Sequence, residues 1–177
     1  MSDLYDQIAS QRGSLEKLAA RLPGFGGYIE RATRRQADRM LRDYIAGEVA
    51  SLVNRFANIE KAILDSEGGL MLMSKTKSAK SKIQTYQDRV KAAFPGYSGF
   101  FAAVKIDEEA LDRLYSFDEA QIRYVDKLDE ELNKLEEAVQ SKGDVSAAIA
   151  AVDALATEAN EAFKLREDVL TNLDKSL

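Results

Sequence analysis

The sequence has no cysteine, no histidine and no tryptophan, and only two prolines interrupt its 177 residues. Without cysteine it can form neither a disulfide nor a thiolate metal site. Without histidine it lacks the commonest general base and transition-metal ligand, and every Ser-His or Cys-His nucleophile pair. The Glu-x-x-His pairs of di-iron helix bundles are excluded as well. No apolar run approaches the roughly 20 residues needed to span a bilayer. The longest notable run is Leu70-Met71-Leu72-Met73. The acidic, polar start MSDLYDQIASQ follows neither the signal-peptide nor the transit-peptide plan, so a cytoplasmic location is expected.

The residues that are present favour helix. Hydrophobic residues make up 45% and charged residues 31%, a balance that folds rather than staying disordered. The length suits one domain, residues 1–177. Apolar residues recur at steps of three and four, the period of a helix face. This spacing predicts five helices, at about 2–22, 28–66, 74–94, 107–141 and 144–175. The stripes are Leu4, Ile8, Leu15, Leu18 and Leu22; then Leu41, Ile45, Val49, Leu52, Phe56, Ile59 and Ile63; then Ala79, Ile83, Tyr86, Val90 and Phe94. The fourth runs Leu111, Leu114, Ile122, Val125, Leu128, Leu132, Leu135 and Val139. The fifth runs Val145, Ile149, Val152, Ala156, Ala159, Phe163, Leu170 and Leu173. Pro23-Gly24, Gly68-Gly69, Pro95-Gly96 and Lys142-Gly143-Asp144 supply the stops. The expected fold is an all-α, elongated antiparallel bundle of four to five helices with coiled-coil-like packing. Successive helices are expected to be neighbours.

One motif repeats. Leu22-Pro23-Gly24-Phe25-Gly26-Gly27-Tyr28-Ile29 and Phe94-Pro95-Gly96-Tyr97-Ser98-Gly99-Phe100-Phe101 share the pattern apolar-Pro-Gly-aromatic-x-Gly-aromatic-apolar, 72 residues apart. Pro followed by Gly fits a type II turn. The motif alone does not establish a duplication. If the helices alternate up and down, both turns fall at one end. Phe25, Tyr28, Tyr97, Phe100 and Phe101 then form either a plug that closes the bundle or an interaction tip.

Charge is divided along the chain. Residues 1–106 carry 17 Lys+Arg and 11 Asp+Glu, whereas residues 107–177 carry 8 and 19. Arg31, Arg35, Arg39 and Arg42 share one helix face, and Lys75, Lys77, Lys80 and Lys82 follow Leu70, Met71, Leu72 and Met73. Internal neutralisation is the plainest expectation. It would place the arginines against Glu108, Glu109 and Asp112, and the lysines near Glu136 and Glu137. An apolar wedge beside lysines also fits a peripheral contact with an anionic membrane, with the two glycines allowing it to swing out. An uncovered arginine face would fit nucleic acid, against a formal net charge of −5.

No phosphate loop is present, because no strand precedes Gly24, Gly26 and Gly27 and no Lys-Ser pair follows them. Carboxylate pairs such as Glu108 with Asp112, or Asp126 with Glu130, have a spacing that helix surfaces produce constantly. No cofactor, metal or catalytic residue is assigned. The expected function is a non-enzymatic scaffold or protein-interaction module that binds a protein partner or itself. A peripheral membrane-binding protein using Leu70–Lys82 is the alternative, and a nucleic-acid binder is the third reading.

Overall fold

The computed structural model describes the chain at residue 21, from 34 to 92 and from 108 to 175. Side-chain surroundings are described at 21, 40–92 and 117–165. The described residues form α1 (Arg34–Leu64), a 3-10 turn (Gly69–Leu72), α2 (Met73–Ala92), α3 (Glu108–Ser141) and α4 (Val145–Lys175), with no strand among them. The fold is all-α. At a rise of 1.5 Å per residue, α1, α3 and α4 each run about 45–50 Å. The helix predicted over 2–22 and both Pro-Gly-aromatic turns lie outside the described residues, apart from helical Arg21.

The predicted stripes make the core. All seven apolar positions expected on α1, from Leu41 to Ile63, are buried. Ala79, Ile83, Tyr86 and Val90 of α2 are buried too, as are Ile122, Val125, Leu128, Leu132 and Leu135 of α3 and Ile149, Val152, Ala156, Ala159 and Phe163 of α4. Each large side chain so buried stabilises the fold by about 1.5–3 kcal/mol. Phe94, Leu111, Leu114, Leu170 and Leu173 fall outside the described side chains.

α1 packs beside α2 and α3, and α4 packs beside the same two helices. Contacts along α1–α2 and α2–α4 give the directions, with Lys80 and Gln87 of α2 meeting Glu60 and Ala46 of α1 in reversed order. Arg55 of α1 meets Asp129, Asn133 and Glu136 of α3. Lys75, Lys82 and Arg89 of α2 meet Ser146, Asp153 and Asn160 of α4 in the same order. The chain alternates in direction, so α1–α2 and α3–α4 are antiparallel hairpins. The hairpins then lie side by side with α1 along α3 and α2 along α4, each pair parallel. This differs from the expectation that every successive pair are neighbours. α2 and α3 face each other across the core, where the Tyr86 hydroxyl reaches Gln121. Residues 93–107 separate these helices in sequence, a span that does not force them together as a tight turn does.

Both hairpin turns lie at one end of the bundle. The second is tight. Lys142 ends α3 with a φ of 55°, the Gly143 amide closes on the Ala138 carbonyl at 2.8 Å, and the Asp144 carboxylate accepts from the Ala147 amide at 2.9 Å as the N-cap of α4. The left-handed residue is thus the lysine, with glycine next to it. Lys142→Gly is expected to stabilise the protein by about 0.5–1 kcal/mol, read as a raised urea midpoint, because glycine takes this φ without a Cβ penalty.

Candidate interaction surface

The interface between the hairpins pairs basic groups of the first with acidic groups of the second. Arg55 is the main clamp. Its Nε and Nη2 donate to the two carboxylate oxygens of Glu136 at 2.9 and 2.5 Å. Its Nη1 donates to Asp129 at 2.7 Å and its Nη2 also to Asn133 at 2.6 Å. These acceptors share one face of α3, so a single guanidinium fork spans two turns of helix. On the other side, Lys82 and Ser78 hold the two oxygens of Asp153 at 2.5 and 2.8 Å. Arg21 pairs with Asp126. Within the first hairpin, Lys80 pairs with Glu60, which also accepts from Thr76 at 3.1 Å.

Of the predicted basic surface, Lys80 and Lys82 are therefore engaged internally, though by Glu60 and Asp153 rather than by Glu136 and Glu137. Glu136 belongs to Arg55, a residue the sequence reading did not single out. Its signal was the set Asp129, Asn133 and Glu136, one helical face of hydrogen-bond acceptors. Lys75 is exposed with its ammonium on Ser146 at 2.7 Å, and Lys77 is exposed. Arg42 is only 9% exposed and has interaction partners, so it does not belong to a solvent-facing stripe. The side chains of Arg31, Arg35 and Arg39 lie outside the described residues, as do those of Glu108, Glu109 and Asp112. So do Phe25, Tyr28, Tyr97, Phe100 and Phe101.

These pairs set a pH dependence. Hydrogen bonds from Arg55 hold the Glu136 carboxyl below its ordinary value; burial opposes this and the arginine's charge adds to it. At Asp153 burial pushes upward, but hydrogen bonds from Lys82 and Ser78 with the lysine's charge outweigh it and the net shift is down. A depressed folded-state carboxyl contributes stability that is complete above its unfolded value and lost as pH falls through the folded one. Stability is therefore expected to hold from neutral pH to about 5 and to decline below that. A thermal-melt series from pH 7 to 2 should show a shallower acid decline for Arg55→Leu than for the native chain. Each such half-exposed pair contributes about 1 kcal/mol or less.

The surface feature that pairing leaves unexplained is apolar. Leu70 is 76% exposed, Met71 84% and Leu64 46%, the exposed large hydrophobics of the described residues. All three sit at the turn of the first hairpin. Leu64 was not anticipated, because it follows the stripe residue Ile63 and reads as the end of a core-facing helix. Of the predicted wedge, Leu72 packs partly against the core. Met73 is half-buried, with its sulfur 4.0 Å from the Thr76 hydroxyl. Two residues of the four thus point outward.

The turn is built to hold them there. The Ser66 hydroxyl and amide close on the Ile63 carbonyl at 2.6 and 3.0 Å. Gly68 takes a φ of 75°. Gly69 is buried so tightly that a Cβ would meet the Ile63 carbonyl oxygen at 1.7 Å. Met71 and Met73 donate their amides to Gly68 and Leu70. The two glycines serve the turn itself, Gly68 as its left-handed residue and Gly69 at the close approach to Ile63. No helix among the described residues is long and apolar enough to cross a membrane, and none of their acidic groups forms a set of three that could hold a metal ion. Compared with family models, curated proteins and solved structures, the chain has no match.

Proposed function

We propose that this chain is a non-enzymatic helical interaction module, acting in the cytoplasm, that docks a protein partner through the tip of its first hairpin. The observation that carries the reading is the exposure of Leu70 and Met71, with Leu64 beside them, on a turn whose backbone is fixed. An exposed apolar group with a polar rim is how a binding surface differs from an ordinary one. Fixing the backbone beforehand lowers the entropy lost on docking. The test is to immobilise the native chain and a Leu70→Ser/Met71→Ser variant, after confirming equal melting, and compare what each retains from extract. A partner retained by the native chain alone supports the reading. Identical retention on both sinks it.

A second reading rests on the exposed ammonium groups of Lys75 and Lys77, one to two turns from Met71. They suit an anionic membrane. Its test is sedimentation with phosphatidylserine vesicles, using Lys75→Glu/Lys77→Glu. Lys80 and Lys82 are kept because their charges stabilise the bundle. Nucleic acid has the least support, since Arg42 is turned inward.

A further inference from the structure

The two hairpins follow one plan. The buried residues of α2, Thr76, Ala79, Ile83, Tyr86 and Val90, match those of α4, Ile149, Val152, Ala156, Ala159 and Phe163, each 73 residues later. On α1, Val49, Leu52, Phe56 and Ile59 match Val125, Leu128, Leu132 and Leu135 of α3, each 76 residues later. Matched helices lie side by side and parallel. Any two amphipathic helices align at some spacing. Here the order of elements, the repeated Pro-Gly-aromatic motif and the parallel pairing agree as well. These are the marks of a duplicated unit.

The duplication supplies an internal control for the tip. The change of spacing from 76 to 73 means that the first turn holds three residues more than the second between matched positions. Residues 66–71 stand where Lys142-Gly143-Asp144 stands in the sister hairpin. The shorter turn connects an equivalent pair of helices, and its residues are exposed without a large hydrophobic among them. The extra length is therefore not needed to join the helices. Its result is the outward Leu70–Met71 pair.

We infer that residues 66–71 are a display insertion that seats Leu70 and Met71 in an apolar pocket of a partner protein. This rests on the reading of the tip as the docking element. The rim decides for a protein. Lys61, Lys75, Lys77 and Lys142 are interspersed with Asp65, Glu67, Glu137 and Asp144 in and beside the turns at this end of the bundle, all exposed. A rim without net charge gives little attraction to an anionic bilayer, whereas groups of both signs match the polar rim of a protein interface. A second copy meeting tip to tip would set one convex knob against another, with no pocket on either side. A pocket encloses a convex knob from all sides. Unbranched, adaptable methionine beside leucine suits such an anchor.

The test uses the full chain carrying photoreactive benzoylphenylalanine at position 71, with the same group at exposed position 88, near the other end of α2, as control. A competitor chain has residues 66–71 replaced by Lys-Gly-Asp and is first checked for unchanged helicity. The expected result is a saturable protein adduct from position 71 and none from position 88. Excess native chain should compete it away, and excess turn-swapped chain should not. An adduct to a second copy, or sedimentation of the native but not the turn-swapped chain with phosphatidylserine vesicles, overturns the assignment of partner while the tip stays as the docking element. Competition by the turn-swapped chain equal to that of the native overturns the tip itself. Absence of any saturable adduct overturns the partner assignment.

Discussion

Gly69→Ala is expected to lower stability by about 2–4 kcal/mol, about twice the effect of Gly68→Ala beside it. The two glycines do different work. At Gly69 an added Cβ would lie 1.7 Å from the Ile63 carbonyl oxygen and 2.7 Å from its carbon. Both atoms are backbone, and the Ile63 side chain is fully buried. The methyl group therefore fits only if the last turn of α1 unwinds or the 3-10 turn lifts away. Either route gives up hydrogen bonds at Ser66 and Gly69. At Gly68 no atom lies within 4 Å of the added Cβ, so the penalty is that of a φ of 75° alone, about 1–2 kcal/mol. Urea unfolding of the two variants separates the cases. Equal losses would mean that the close approach at Gly69 does not exist. Gly69→Ala should also release Leu70 and Met71 from their fixed direction, so loss of partner binding at a temperature where the variant is still folded would tie the turn's geometry to its use.

The sequence made the core legible because burial follows a period. The stripes on α1 and α2 survive without exception among the described residues, from Leu41 to Ile63 and from Ala79 to Val90. Helix ends were legible to within two residues at Leu64, Met73 and Ser141, because Gly68-Gly69 and Lys142-Gly143-Asp144 are strong stops. Lateral order was not legible. A 3-4 stripe states that a helix has one buried face but not which helix covers it, so α2 against α4 could not be separated from α2 against α3. Charge partners failed for the same reason. Lys80 and Lys82 were near enough to several acids in sequence logic, and only the side-by-side placement of the hairpins selects Glu60 and Asp153. The tip was half legible. Leu70-Met71-Leu72-Met73 stands out as an apolar run, but a 3-10 turn rotates successive residues about a third of a circle, sending Leu70 and Met71 out while Leu72 packs toward the core.

Tyr86→Ala is expected to cost about 3–5 kcal/mol, the range for a large aromatic removed from a core. Tyr86→Phe should cost about 1–3 kcal/mol, because it leaves the Gln121 amide oxygen without its donor. Tyr86 is fully buried, stands edge-on to Phe163 with ring centroids 6.3 Å apart, and donates its hydroxyl to Gln121 Oε1 at 2.9 Å. Burial, with Tyr124 and Asp118 nearby, pushes the phenol's pKa up, so it remains a neutral donor. This bond joins α2 to α3 across the core, and its partner is not well served in return. The Gln121 Nε2 is buried without an acceptor among the described residues. Replacing both polar groups, as Tyr86→Phe/Gln121→Leu, is therefore expected to restore or exceed native stability. Double-mutant unfolding free energies would show this as strong non-additivity. The pair nevertheless has a physical use that the duplicated plan makes visible. At the matched positions of the sister helices stand Ala159, opposite Tyr86 in the scheme, and Ile45, opposite Gln121. Both are apolar. A bundle of two near-equivalent hairpins risks packing with the wrong helices across the core, since the stripes alone would accept either arrangement. A hydroxyl and an amide that satisfy each other in one diagonal pairing, and that would face Ala159 or Ile45 in another, penalise the error. The double variant should then be more stable yet less uniform. Its amide NMR spectrum is expected to show doubled or broadened peaks where the native chain gives one set. A single sharp set from the stabilised variant would mean that the core packing alone selects the pairing.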